Sequence, residues 1–279
     1  MIKDRNSSNG LVFEDNGSGE PVVFIHGALI PDIFRPLLAE PVIAGRYRLI
    51  SYHRRGYFGS SSGTGKYGIV QQAADCGALL QELQIDHAHV VGHSSGGAIA
   101  IQLALDFPEL VHSLALLEPA LMIGASAEGY RTSLRQVASR FHEAGGDAVV
   151  NAFLRARLPD YQKLLEQMLP GAIDQAIADA AVFFDGELPG LLEWSFDGPE
   201  AKQVHQPVLS VLGGHSESLS RRFVEVHQFL LRELPNALGH VVPAGGHFML
   251  MENPAATAAA LVKFWEIYPA TAATQQSSH

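Results

Sequence analysis

The chain has 279 residues, 47% of them hydrophobic and 17% charged, with 19 Lys+Arg against 29 Asp+Glu for a formal net charge of −10. This describes a globular chain long enough to bury a large core. It excludes bulk disorder and a general nucleic-acid binder, which would need a basic face to neutralise phosphates. A single cysteine, Cys76, excludes an internal disulfide framework. Met1 to Gly10 carries no apolar stretch of the kind a secretory signal needs. No run long enough to cross a membrane occurs either. The expectation is a cytoplasmic protein without a membrane partner, its small and polar end from Ala270 to His279 frayed.

Taken in chain order, short apolar runs alternate with helical patterns. Leu11–Glu14 and Val22–Ile25 flank the turn-rich Asp15-Asn16-Gly17-Ser18-Gly19 and read as a hairpin. Tyr47–Tyr52 reads as a strand, and the apolar spacing of Ile69–Leu83 predicts a helix. His87–Val91 reads as a strand, followed by a small-residue helix over Gly96–Phe107 that stops near Pro108. Ser113–Leu117, Pro207–Leu212 and Gly239–Val242 are further strands, and Pro254–Tyr268 closes the chain as a helix. Strands that alternate with helices predict an α/β fold, a mostly parallel sheet covered on both faces.

The middle differs. Leu121 to Val204 shows helical patterns (Tyr130–Phe141, Ala148–Leu154, Tyr161–Leu169, Ile173–Phe183) punctuated by Pro159, Pro170, Pro189 and Pro199, and no strand. Because the sheet pattern resumes at Pro207, this block reads as a helical insertion over 121–204. The core then comprises 1–120 and 205–279.

The sharpest local signal is Gly92-His93-Ser94-Ser95-Gly96. Gly-x-Ser-x-Gly is weak alone, and Gly59-Ser60-Ser61-Ser62-Gly63 matches it too, in a stretch with no strand before it and no helix after it. That second match reads as a flexible loop. Ser94 instead stands between the strand His87–Val91 and the helix from Gly96, the strand–turn–helix of a nucleophile elbow. The competing reading is an ordinary glycine-rich turn. Flanking glycines permit a turn in which side chains would collide, and the following helix N-terminus favours developing negative charge.

With Phe24-Ile25-His26-Gly27-Ala28, Tyr52-His53-Arg54-Arg55-Gly56, Val91-Gly92-His93-Ser94-Ser95-Gly96-Gly97 and Pro243-Ala244-Gly245-Gly246-His247-Phe248 in this order, the chain resembles the α/β-hydrolase family over nearly its whole length. The resemblance implies the α/β-hydrolase fold with a helical cap over the site. It implies an oxyanion hole from the N–H groups of Ala28 and Ser95, and a structural or pocket-lining place for His26 and His93. A serine needs a base, and His247, late in the chain and between a strand and a helix, matches the family's order of nucleophile, acid, histidine.

The acid has two candidates. Where most related sequences place an aspartate, this chain reads Gly213-Gly214-His215-Ser216-Glu217-Ser218, with serine at the expected position and Glu217 one later. Glu118, at the end of the strand Ser113–Leu117, matches the acid position of some branches of the family, and we place it first, with Glu217 as the alternative. His53 also departs from the family's usual aspartate. Arg54 and Arg55 are read as loop tethers and not as substrate contacts. His87 and His89 share a strand face without further ligands, so no metal is expected.

The reading is a serine hydrolase that needs no cofactor and acts on a small to medium, hydrophobic carbonyl compound, an ester or lactone, through an acyl-enzyme. Phe183, Phe184, Leu191, Leu192, Trp194 and Phe196 either line an acyl pocket or pack the insertion onto the core. Carbon–carbon bond hydrolysis, perhydrolysis and a weakly catalytic small-molecule receptor remain alternatives on the same residues.

Overall fold

The computed structural model describes residues 5–62 and 67–270. Gly63 of the second serine motif, the first four residues and the tail over 271–279 lie outside them. Eight strands form one sheet: β1 (Arg5–Asn6), β2 (Val12–Asn16), β3 (Glu20–Ile25), β4 (Tyr47–Tyr52), β5 (Ala88–His93), β6 (Val111–Leu117), β7 (Val208–Gly213) and β8 (Ala237–Val242). Their order is β1-β2-β4-β3-β5-β6-β7-β8. The pairs from β4 to β8 are all parallel, and β1 and β2 are antiparallel additions at one edge.

The hairpin expected around Asp15–Gly19 does not form. β4 inserts between β2 and β3, pairing antiparallel with the first and parallel with the second. The turn is tight all the same: Gly17 sits at φ +83°, and a Cβ there would stand 2.4 Å from the Tyr47 carbonyl oxygen at the start of β4. Turn residues fix how sharply the chain reverses, not whether the two flanking strands become neighbours.

β3, β5 and β6 read as nearly continuous apolar runs because helices cover both faces. The helices in chain order are α1 (Arg35–Leu38), α2 (Ile69–Glu82), α3 (Ser95–Asp106), α4 (Ala127–Ala144), α5 (Gly146–Arg155), α6 (Tyr161–Met168), α7 (Ala172–Ala178), α8 (Leu188–Glu193), α9 (Gly198–Ala201), α10 (Ser216–Leu219), α11 (Arg222–Glu233), α12 (Met249–Glu252) and α13 (Pro254–Ile267). A π-helical turn over Val182–Glu187 leads into α8. α3 is buried almost all round, with Ala98, Ile99, Ala100, Ile101 and Leu103 at 0% exposure, because it packs on β5 and β6 and against α2. Each such Ile or Leu contributes roughly 1.5–3 kcal/mol relative to an exposed position. α4 to α9 all lie between β6 and β7 in the chain, where no strand is found among the described residues. α11, between β7 and β8, had no counterpart among the predicted elements.

Candidate active site

The residues singled out in the sequence come from the C-terminal ends of adjacent parallel strands, where ligands sit in open α/β sheets. Ser94 closes β5 and opens α3 at φ 54°, ψ −121°. This left-handed, non-glycine conformation costs on the order of 1–3 kcal/mol and persists only where its surroundings enforce it. They do so through backbone bonds: Ser94 N–H donates to the Leu117 carbonyl at 3.1 Å, and its own carbonyl accepts from Ala120 at 2.8 Å. The glycines explain themselves sterically. A Cβ on Gly92 would stand 2.5 Å from the Gly96 carbonyl oxygen, and one on Gly96 only 2.1 Å from that of Ile25. Gly27, after β3, approaches so closely that a Cβ there would meet the Ser94 Cβ at 3.0 Å.

Among the described residues, neither the Ala28 nor the Ser95 N–H is taken up by another group. Ser95 is the first residue of α3, so its N–H is one of the donors a helix leaves free. Both donors flank the nucleophile turn.

His247 lies in the loop after β8, 1% exposed. Its Nδ1 meets Oε2 of Glu118 at 2.9 Å, and Oε1 of the same carboxylate accepts from the Gly213 N–H at 2.7 Å. Glu118 therefore bridges the ends of β6, β7 and β8 from a left-handed backbone, φ 44°, just before Pro119. Glu217 is exposed on α10 and is not among the partners of His247. Ser216, at the position where the family has its aspartate, is fully buried. Burial pushes the Glu118 carboxyl up, against the Ser216 hydroxyl, the Gly213 N–H and the Arg222 charge. Burial, reinforced by the charges of Arg222 and Arg157, holds His247 well below an ordinary histidine. With Nδ1–H facing Glu118, Nε2 of a neutral imidazole is left as the acceptor.

Three further histidines, His93, His26 and His53, hold the loops around this frame. His93 Nε2 donates to the His247 carbonyl at 2.8 Å, and burial brings its pKa to about 3, so it stays neutral. His26 accepts from the Arg54 N–H at 3.0 Å. His53 binds Asp32 at 3.0 Å and the Phe58 carbonyl at 2.8 Å; burial opposes its charge, and these partners raise its pKa overall. Arg54, 1% exposed, forms a buried ion pair with Glu187 and donates to the Gly27 carbonyl at 2.9 Å, while Tyr57 donates to the same Glu187 at 2.9 Å. Arg55 pairs with Asp75. Both arginines therefore tie chain segments together. No group of three or more His, Cys, Asp or Glu is placed to hold a metal ion among the described residues.

Of the aromatics expected near the site, Phe183 and Phe184 pack with each other and with Phe153. Trp194 stacks on Phe196 and donates to Gln102 of α3 at 2.7 Å. Their ring contacts are with one another and the neighbouring core.

A parallel sheet that presents a serine on a strained strand–helix turn, beside a buried His–Glu pair, defines the class of α/β hydrolases. The family described as the alpha/beta hydrolase fold matches residues 20–254, and the chain belongs to it. A Mycobacterium tuberculosis protein that carries the provisional name non-heme bromoperoxidase is 28% identical over 91% of this chain and 97% of its own length. The 2-(acetamidomethylene)succinate hydrolase of Mesorhizobium japonicum is 26% identical over 91% of each. In fold, a thermophilic esterase from Thermogutta terrifontis superposes with a TM-score of 0.74 over 96% of this chain and 97% of its own, at 22% identity. The protein is an α/β hydrolase acting on a small molecule. Among the described residues, no helix is long and apolar enough to cross a membrane.

Proposed function

We propose that this α/β hydrolase is a serine hydrolase that cleaves small to medium carbonyl compounds, esters or lactones, through an acyl-enzyme. The observation that carries this reading is the His247–Glu118 contact at 2.9 Å together with a serine held at φ 54° at the end of β5, the strand paired with the one that Glu118 follows. Ser94 Oγ attacks the carbonyl carbon while Nε2 of His247 takes its proton. The oxyanion rests on the N–H groups of Ala28 and Ser95. Collapse breaks the bond to the leaving oxygen, to which His247 returns the proton. Water then attacks the acyl carbon, giving a proton to His247, and Ser94 is regenerated as the acid leaves. Glu118 keeps the imidazole tautomer and stabilises the imidazolium. Serine as nucleophile disfavours displacement at a saturated carbon, which calls for a carboxylate. The helical segment 121–204 serves as a cap, tied to the oxyanion segment through Arg54 and Glu187.

Hydrolysis of a panel of short-chain p-nitrophenyl esters tests the reading. The wild type turns over, and Ser94→Ala and His247→Gln fall to background. Retained turnover in Ser94→Ala, or a folded wild type inert on every ester, contradicts it.

A further inference from the structure

Two guanidinium groups beside the proposed site have no carboxylate of their own among the described residues. Arg222, at the start of α11, is 4% exposed. Its Cζ lies 4.0 Å from the ring centroid of Tyr130 on α4 and 4.0 Å from that of Phe223. Its Nη1 is fully buried and finds no acceptor among the described residues. Arg157, just past α5, has its Cζ 3.5 Å from the Phe153 ring centroid and spends Nη1 on the Phe153 carbonyl at 2.9 Å. Among the described residues neither arginine has a carboxylate at ion-pair distance, whereas Arg54 and Arg55 each have one.

That arrangement is costly if it serves only the fold. A buried guanidinium such as that of Arg222 is normally paired and fully bonded, and the half-buried Arg157 nearby repels it. Burial and the charge of Arg222 both hold Arg157 below an ordinary arginine, with Tyr130 acting the other way. Burial pushes the Tyr130 phenol up, yet the two guanidinium charges bring it below its ordinary value. The cluster also adjoins the reacting groups: the Phe223 ring centroid is 4.8 Å from that of His247, and the charge of Arg222 is felt at both His247 and Glu118. Aromatic faces fix the Arg222 plane without using its N–H donors, which leaves the donor edge for a ligand.

We propose that Arg222 and Arg157 form the recognition site for a carboxylate carried by the substrate, placed beside the carbonyl that Ser94 attacks. The inference rests on the acyl-transfer reading for the carbonyl and adds the substrate's charge. Two guanidinium charges set against the Glu118 carboxylate leave one net positive charge, which a monoanion neutralises and a phosphate dianion overshoots. The planar fork of arginine matches a carboxylate in two parallel hydrogen bonds.

The test uses the full-length chain and two esters with one leaving group and equal acyl length, p-nitrophenyl valerate and mono-p-nitrophenyl glutarate. The wild type favours the glutarate ester by about tenfold or more in kcat/KM. Arg222→Met and Arg157→Gln each pull that ratio towards unity, chiefly through KM, and Arg222→Lys keeps part of it. A wild-type ratio near one, or a ratio that survives both substitutions, overturns the proposal. Calorimetric titration of the Ser94→Ala chain with monomethyl glutarate and with inorganic phosphate supplies a readout free of turnover. Binding of the carboxylate, lost when Arg222→Met is added, supports the site; tighter binding of phosphate overturns the carboxylate assignment. If neither ester turns over but the carboxylate still binds, the acyl-transfer reading fails and the anion site stands. Turnover of both esters without preference is the reverse.

Discussion

Glu118 has one carboxylate oxygen on His247 Nδ1 and the other on the Gly213 N–H, so both its charge and its geometry are used. Replacing it with glutamine keeps the size and removes the charge that, in the proposed mechanism, stabilises an imidazolium. Glu118→Gln is expected to lower kcat/KM on a p-nitrophenyl ester by at least ~10²-fold, given the scale of triad-acid losses. Glu217→Gln, on the exposed face of α10, is expected to stay within about twofold. Near-wild-type turnover in the first variant and collapse in the second would reverse the assignment. The same residues set the pH profile. His247 is held well below the ordinary histidine value of 6.5 by burial and by Arg222 and Arg157. As pH falls it therefore remains a neutral base longer than a free histidine does. The acid limb of kcat/KM is expected below pH 6.5, and Arg222→Met, which removes one opposing charge, is expected to move it upward. A limb at or above the ordinary value in the wild type contradicts this account.

Elements are tied to one another here by buried charge. The Arg54–Glu187 pair joins the loop after β4 to the π-helical turn Val182–Glu187, with Tyr57 on the same carboxylate. Removing one partner strands the other, and Arg54→Met is expected to cost about 3 kcal/mol of unfolding free energy in urea titration. The double variant Arg54→Met/Glu187→Leu should cost clearly less. Equal losses in the two would mean that the pair is not the cause. At this scale the sequence was legible where a signal is local. Strand His87–Val91, the Gly-flanked Ser94 and the helix after it are written in consecutive residues, and they correspond to β5, the turn and α3. It was not legible where neighbours are chosen in space. The turn at Asp15–Gly19 is the same whether β2 and β3 pair or admit β4 between them. α11 carries an amphipathic pattern in Val226, Phe229 and Leu230, all buried, which could have been read and was not. With it the buried Arg222 went unseen. The sequence ranks Glu118 above Glu217 but keeps both as candidates, because the contacts of each carboxylate depend on where the ends of β6, β7 and β8 meet.

At the scale of the whole molecule, one sheet brings residues far apart in sequence, His26 to Ala28, Ser94, Glu118 and His247, to the ends of neighbouring strands. The −10 charge then belongs to the chain as a whole, whereas the surroundings of His247 carry two guanidinium charges. An anionic substrate would thus be drawn by the site against the sign of the whole chain. Mono-p-nitrophenyl glutarate should accordingly lose affinity as salt rises far less than a contact on an exposed surface would, because a buried pair is weakly screened. A steep rise in KM between low and physiological salt would place its recognition at the surface instead. The central claim, that Ser94 is a nucleophile activated by His247, is tested most directly by intact-mass and peptide analysis after exposure to a fluorophosphonate. The account predicts one adduct per chain, on Ser94, absent from Ser94→Ala and strongly slowed in His247→Gln. A wild type that stays unmodified while a control serine hydrolase reacts, or an adduct on another residue, would contradict it.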